Sequence, residues 1–353
     1  MEVTEKVTNT DHEQVLIGRD SASGYHGIIA VHSTALGPAV GGTRLWNYSS
    51  EDEALTDVLR LSQGMTYKTA LAGLPLGGGK SIIIADNRTP NREALLRAHG
   101  RFVETLKGRY ITAEDVGTNP ADMEIMRRET QYVAGLIDGS GDPSPYTARG
   151  VFRTIQASAK FTWNADDVSE VTVAIQGCGN VGYHLAKLLH ESGAKLIVTD
   201  VNNNNLARAA DEFAAEMVEP NDISSVPADI FAPCALGGVI NDQTIPELKV
   251  KIVAGAANNQ LLEERHGASL RERNILYAPD YVANVGGVLN GCRELFGWTE
   301  EQALSKIDDI YDTILSIYES AQAQGSATNK AADGLAEERL RAGKQGGMPL
   351  TSP

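Results

Sequence analysis

The chain has 353 residues, enough for two domains, and 42% of them are apolar, enough to fill two cores. A net charge of −15 argues against nucleic acid and anionic membrane surfaces as partners. Cys178, Cys234 and Cys292 lie more than 50 residues apart with no Cys-x-x-Cys pair, which speaks against a zinc site and a disulfide framework and fits a reducing cytoplasm. Residues 1–11 are polar and lack the apolar core of a signal peptide, and no run of about 18 apolar residues is present, so no membrane span is expected.

In chain order, residues 15–17 and 26–32 read as strands, and residues 34–44, with Gly37-Pro38 and Gly41-Gly42, as a loop. Ser50 is a candidate cap, with Glu53 three residues on and an apolar stripe from Ala54 to Leu61, so a helix is expected. Residues 81–85 form a β-branched run, 91–107 an amphipathic helix, 109–112 a strand, and Asn119-Pro120 opens a helix to residue 128. The glycine- and proline-rich stretch 138–145 is the clearest linker. Beyond it, a helix over 148–161 is followed by short apolar runs at 171–176, 195–200, 230–232, 252–254 and 275–277, with a helix over 182–192. Strands alternating with helices indicate a parallel, doubly wound sheet. Residues 300–324 read as one long helix, 330–341 as another, and 343–353 as a frayed tail. The expected organisation is therefore α/β in two domains with a cleft between them. Residues 1–140 form a substrate and oligomerisation domain, joined by 328–353; 147–327 form a Rossmann-type domain; 138–146 form a hinge.

Gly177-x-Gly179-x-x-Gly182 follows a strand-like run and opens a helix, and Asp200 ends the next run 18 residues past the last glycine. That context turns a weak motif into a strong dinucleotide signal, with the pyrophosphate over the helix N-terminus and the carboxylate on the ribose. Asn180 and Val181 lie inside the loop. The Asp200 charge repels a 2′-phosphate, and no arginine follows it directly, although Arg208 is not far on, so NAD is expected.

Two lysines stand twelve positions apart, Lys68 after Gly64-Met65-Thr66-Tyr67 and Lys80 after Gly77-Gly78-Gly79. The glycines suggest close backbone approach to a ligand, and a lysine stripped of water has a lowered pKa suited to acid–base work. Gly73 to Lys80 resembles a nucleotide-triphosphate loop but has five intervening residues where that motif has four, and a strand rather than a helix follows. The better reading divides carboxylate binding and acid–base chemistry between the lysines, with Asp115 as a carboxylate base. The competing readings are ordinary turn and helix-end residues on a non-catalytic NAD-binding regulator.

Gly-Met-Thr-Tyr-Lys68, Leu-x-Leu-Gly-Gly-Gly-Lys80, Thr-Ala-Glu-Asp115-Val-Gly-Thr and Asp-Ile-Phe-Ala-Pro-Cys234-Ala235-Leu-Gly-Gly resemble the amino-acid dehydrogenases of the glutamate/leucine/phenylalanine/valine type. Ala-Gly-Ala256-Ala-Asn258-Asn259-Gln and Tyr-Val-Ala-Asn284-Val-Gly-Gly extend the match over about residues 11–341, most closely to the leucine-oxidising members. The resemblance implies that Lys68 binds the substrate carboxylate, Lys80 manages the attacking water, and Asp115 shuttles a proton at nitrogen. It places Asn259 and Asn258 near the amino group and nicotinamide, Thr147 on the carboxamide, and Cys234, Ala235, Ala256 and Asn284 along the cofactor. It implies a homo-oligomer, with eight subunits favoured, acting on an amino acid, its 2-oxo acid and ammonium. Positions that bind a side-chain carboxylate in glutamate relatives correspond to Val40 and Gly291, neither of which can do so. An apolar pocket from Val40, Gly41, Gly42, Met65, Ala113, Val288 and Gly291 suits leucine first and phenylalanine as the alternative. Leu289 or Cys292 would be the neighbours able to refill the space at Gly291. The seven histidines do not cluster at metal-ligand spacing, no metal is expected, and Trp46 and Trp298 read as packing residues.

Overall fold

The computed structural model describes residues 7–8, 10–137 and 139–346. The N-terminal stretch 1–6, Asp138 of the linker and most of the expected tail, 347–353, lie outside the described residues. The chain divides into two compact units, the described parts of Met1–Gly141, Glu294–Gly297 and Ala336–Pro353, and of Asp142–Arg293 and Trp298–Leu335. Among the described residues, no helix is long and apolar enough to cross a membrane.

The first unit is built on β1 (Gln14–Asp20), β2 (Tyr25–Ser33), β3 (Ala39–Trp46), β4 (Gly77–Ile84) and β5 (Tyr110–Glu114). Their order is β1-β2-β4-β3-β5, with β1 and β4 antiparallel to β2, and β4 and β5 parallel to β3. Between β3 and β4 runs α1 (Glu51–Leu71), capped by the Ser50 side chain, which accepts the Glu53 N–H. Its stripe of Ala54, Leu55, Val58 and Leu59 packs with Ile28, Ala30 and Ile82. A second cluster joins Leu45 and Ile83 to α2 (Arg92–Glu104) and α3 (Pro120–Arg127) through Leu95, Leu96, Met123 and Met126. With apolar helices against both clusters, the inner strand β2 is almost wholly buried.

The expected loop over 34–44 is largely strand β3. Gly41-Gly42 looked like a chain breaker, but these glycines permit close strand approach: a Cβ on Gly41 would lie 1.8 Å from the Gly79 carbonyl oxygen, and one on Gly42 2.3 Å from that of Glu114.

The second unit holds six parallel strands in the order β11-β10-β9-β6-β7-β8. They are β6 (Thr172–Gln176), β7 (Lys195–Thr199), β8 (Glu216–Met217), β9 (Ile230–Pro233), β10 (Ile252–Val253) and β11 (Leu276–Tyr277). Renumbered from β6, this is 6-5-4-1-2-3, the dinucleotide-binding order with its switch point beside β6. The helices are α4 (Ser144–Trp163), α5 (Asn180–Glu191), α6 (Asn203–Phe213), α7 (His266–Glu272), α8 (Asp280–Ala283), α9 (Gly286–Phe296), α10 (Glu300–Asp308), α11 (Ile310–Gln324) and α12 (Thr328–Gly346). The last residues of α9 and the end of α12 are assigned to the first unit.

Helix α6 opens at a run of asparagines, where the Asn202 side chain caps it by accepting the Asn204 N–H. Gly286, at the start of α9, lies close to α4: a Cβ on it would be 2.1 Å from the Tyr146 carbonyl oxygen. Several elements differ from expectation. Helix α4 begins at Ser144, inside the stretch read as linker. The expected 300–324 helix breaks at Asp309, whose ψ of −14° tightens the turn. Residues 343–346 continue α12 instead of fraying.

Candidate active site

In the first unit, Lys80 lies on β4 between β2 and β3 and is 6% exposed. Asp115 follows the end of β5. The Lys80 Nζ stands 2.8 Å from Asp115 Oδ2, and Arg44 Nε donates to the same oxygen at 3.0 Å. Burial pushes the Lys80 ammonium below its ordinary pKa, against the partial opposition of Asp115. Burial raises the Asp115 carboxyl, but Lys80 and Arg44 outweigh it and hold the group below its usual range. The pair therefore combines an ionised carboxylate with a lysine shifted toward its neutral amine. This is an acid–base arrangement.

Lys68 and Met65 lie one turn apart near the end of α1. That end is fixed by Arg339, whose Nη1 donates to the carbonyls of Ala70 and Leu71 at 2.9 and 2.7 Å. Helix α1 lies directly on β4: a Cβ on Gly78 would be 2.0 Å from the Thr66 nitrogen. A Cβ on Gly77 would be 2.0 Å from the Ser33 carbonyl oxygen, and one on Gly79 2.8 Å from the Tyr110 ring. The glycines before Lys80 thus admit neighbouring protein, not a ligand, which corrects the expectation drawn from them. Val40, Gly41 and Gly42 sit on β3, with Gly42 registered against Ala113 of β5.

Beneath the pair, Thr43, Ser81, Thr112 and Tyr110 hydroxyls join His99 in a buried network across β3, β4 and β5. Burial lowers the His99 pKa to about 3, so its imidazole is neutral. His12 and His32, far apart in sequence, stack edge to face at 4.8 Å and bond Ser62 and Thr66. Trp46, read as a packing residue, is 49% exposed. Arg44, Asp57 and Tyr48 were not singled out from the sequence. The usable signal was alternation along β3, which puts Arg44 on the face of Gly42.

In the second unit, Gly177 adopts φ +98° at the end of β6 and donates to the Thr199 carbonyl. Gly182 presses α5 onto that turn: a Cβ there would be 1.9 Å from the Gly177 carbonyl oxygen. Gly179, the N-cap of α5, has open space at its Cβ position. Asn180 and Val181 form the first helical turn. Asp200 accepts the N–H groups of Cys178 and Asn202, each at 2.7 Å. Cys234 and Ala235 follow β9, with Ala235 against Gly177. Asn284 Nδ2 donates to Asn258 Oδ1 at 2.7 Å and to the Ala256 carbonyl at 3.0 Å, joining three of the expected residues. Asn259 is left-handed, φ +52°, and its carbonyl accepts the Gly238 N–H. Thr147 donates to Pro143, beside Gly287. Val288 and Gly291 lie one turn apart on α9. A Cβ on Gly291 would meet no atom within 4 Å beyond its chain neighbours, and Leu289 and Cys292 are buried.

All three thiols are protonated at neutral pH, since burial pushes each up to about 12. Among the described residues, the one grouping of metal-type ligands is Asp242, Glu263 and His266. Arg265 bonds both carboxylates there.

A parallel sheet of this order with a glycine turn at its switch point, on a chain that also buries a lysine–carboxylate pair, defines a nicotinamide-dependent oxidoreductase. Residues 12–132 match the dimerisation domain of Glu/Leu/Phe/Val dehydrogenases, and residues 139–204 and 198–345 match the Glutamate/Leucine/Phenylalanine/Valine dehydrogenase model. The chain belongs to that family of amino-acid dehydrogenases. It is 54% identical to a leucine dehydrogenase of Geobacillus stearothermophilus, covering 99% of this chain and 96% of that one. It is 46% identical to a phenylalanine dehydrogenase of Caldalkalibacillus thermarum, covering 94% and 92%. Its fold superposes on a crystal structure of L-tryptophan dehydrogenase from Nostoc punctiforme with a TM-score of 0.88 at 45% identity, covering 97% of this chain and all of that one.

Proposed function

We propose that the chain catalyses reversible oxidative deamination of an apolar L-amino acid, with leucine and other branched-chain amino acids first. Amino acid, NAD and water give the 2-oxo acid, ammonium, NADH and a proton. The observation that carries this reading is the buried Lys80–Asp115 pair, 2.8 Å apart, on a unit matched to the family's N-terminal domain.

NAD, when bound, accepts the hydride that leaves the substrate Cα. Lys68 anchors the substrate carboxylate. Ionised Asp115 takes a proton from the substrate ammonium, freeing the lone pair that forms the imine as hydride departs. Lys80, shifted toward its neutral form, removes a proton from the water that adds to the imine carbon. Asp115 then returns a proton to nitrogen as ammonia leaves. Asn259 and Asn258 orient the amino group and nicotinamide, and Thr147 contacts the carboxamide.

The cofactor unit fits a dinucleotide. Gly179 leaves open space at a bare helix N-terminus, and Gly182 closes the helix onto the turn. Gly177, Asn180, Val181, Cys234, Ala235, Ala256 and Asn284 would line the rest. NAD is favoured over NADP because the Asp200 carboxylate, fixed in place by two backbone N–H groups, would repel a 2′-phosphate. Arg208, the first cation downstream of Asp200, is occupied: it pairs with Glu212 and stacks 3.6 Å over Tyr183. The stretch 138–146 is the proposed hinge. A cytoplasmic homo-oligomer, eight subunits first, is proposed, with light scattering as its check.

Val40 and Gly291 offer neither cation nor hydroxyl to a side-chain carboxylate, so glutamate is a poor substrate. The open space at Gly291 favours a second reading, in which phenylalanine or another aromatic amino acid is also accepted. Initial rates of NADH formation with leucine, valine, phenylalanine, tryptophan and glutamate decide between them. Leucine leading supports the first reading, phenylalanine or tryptophan leading supports the second, and glutamate leading contradicts both.

A further inference from the structure

Asp115 Oδ2 accepts from two cations, and only Lys80 has a part in the reaction above. Arg44 lies on β3, registered against Ile82, two residues beyond Lys80 on β4. Its Nε donates to Asp115 Oδ2 at 3.0 Å, and its Nη1 donates to Asp57 Oδ2 on α1 at 2.8 Å. Asp57 is held in turn: its Oδ2 accepts the Tyr48 hydroxyl at 2.6 Å, and its Oδ1 faces Arg60 at 3.3 Å. Charges alternate from Lys80 through Asp115, Arg44 and Asp57 to Arg60.

We propose that Arg44 is a positioning residue, whose guanidinium ties the Asp115 carboxylate to Asp57 and holds it facing Lys80 while protons pass through the pair. The inference rests on the proton-handling roles given to Lys80 and Asp115. A guanidinium suits this post because its fork reaches two carboxylates at fixed geometry and it never gives up its proton. Lysine supplies the charge but not the fork.

The other groups facing the pair are few. Glu114 on β5 is raised first by burial and then by Glu294 and Asp115, and Tyr110 lies beneath with its hydroxyl on Gly41 and Ser81. Asp57 and Tyr48 sit behind Arg44, and Arg60 behind Asp57. Among these, Arg44 is the cation in direct contact with Asp115 besides Lys80. Its charge favours the ionised carboxylate and the neutral amine, the two forms the reaction needs.

The site also offers a direct test. A cavity of about 590 Å³, lined by Arg44, Trp46, Tyr48, Asp57, Arg60 and Val116, reaches the guanidinium from outside. Truncating Arg44 leaves a hole there that a free guanidinium ion can enter. Arg44→Ala should lose kcat by about tenfold to a hundredfold, with a smaller change in KM for the amino acid. Guanidinium or methylguanidinium, kept below denaturing concentrations, should restore kcat saturably, and equal urea or sodium chloride should not. Arg44→Gln should move the pH limb on which Lys80 loses its proton upward by about one pH unit, and Arg44→Lys should leave it in place while lowering kcat.

Competitive labelling of Lys80 with acetic anhydride across pH reports the same shift by mass spectrometry, without any turnover. Wild-type protein that oxidises no amino acid would refute the functional reading, while labelling would still decide on Arg44. Restoration by guanidinium, or a raised Lys80 titration in Arg44→Gln, supports the positioning role. An unmoved titration in a folded Arg44→Gln variant overturns it, as does an Arg44→Ala variant that is folded, impaired and indifferent to guanidinium. Should Arg44→Ala fail to fold, the Arg44→Gln titration decides alone.

Discussion

Two glycine-rich stretches of this chain, Gly77–Gly79 and Gly177–Gly182, look alike in sequence and do opposite work. The first lies within strand β4, where each missing side chain is replaced by protein: the Ser33 carbonyl, the Thr66 backbone and the Tyr110 ring. The second is a turn in which the outer glycines close on protein and the middle one, Gly179, stays open. The first stretch brings α1 and three strands close enough to bury Lys80. The second leaves a bare helix end exposed. A glycine therefore marks close approach, and only its surroundings say whether protein or ligand approaches.

Alanine at the two kinds of position separates them most sharply. Gly78→Ala puts a methyl carbon 2.0 Å from backbone that cannot swing away, so it should cost about 3 kcal/mol or more of stability, read as a lowered urea midpoint. Gly179→Ala meets nothing within 4 Å, so the free protein should keep its stability within about 0.5 kcal/mol while NAD binding weakens, roughly tenfold by calorimetry. Equal destabilisation by the two would erase the distinction. A smaller effect is expected on α9, where Gly291→Val fills open space with apolar carbon. It should raise the leucine-to-phenylalanine ratio of kcat/KM by about tenfold. An unchanged ratio would show that Gly291 does not line the side-chain pocket.

The parts legible in the sequence were those whose signal is local. Ser50 and Asn119 announced their helices because a cap and its partner lie three residues apart. The loop at Gly177 and the carboxylate of Asp200 were legible because strand, turn, helix and strand follow one another directly. Strand β3 was not, since Gly41 and Gly42 carry the same letters as a turn and only the carbonyls of Gly79 and Glu114 distinguish them. Arg44 was missed for a related reason: its two partners come from α1 and from the segment after β5, and nothing near it in sequence shows that it meets Asp115. The break at Asp309 left no mark in the apolar periodicity on either side.

If Lys80, paired with Asp115, carries the proton chemistry of amino-acid oxidation, Lys80→Ala should lose about a hundredfold or more in kcat with NAD affinity unchanged, read as NADH formation with leucine and as NAD binding by calorimetry on the same preparation. In the wild type, activity should rise with pH as Lys80 deprotonates, at a pH below the ordinary lysine range because burial lowers its pKa. A folded Lys80→Ala protein that keeps full activity would remove Lys80 from the reaction.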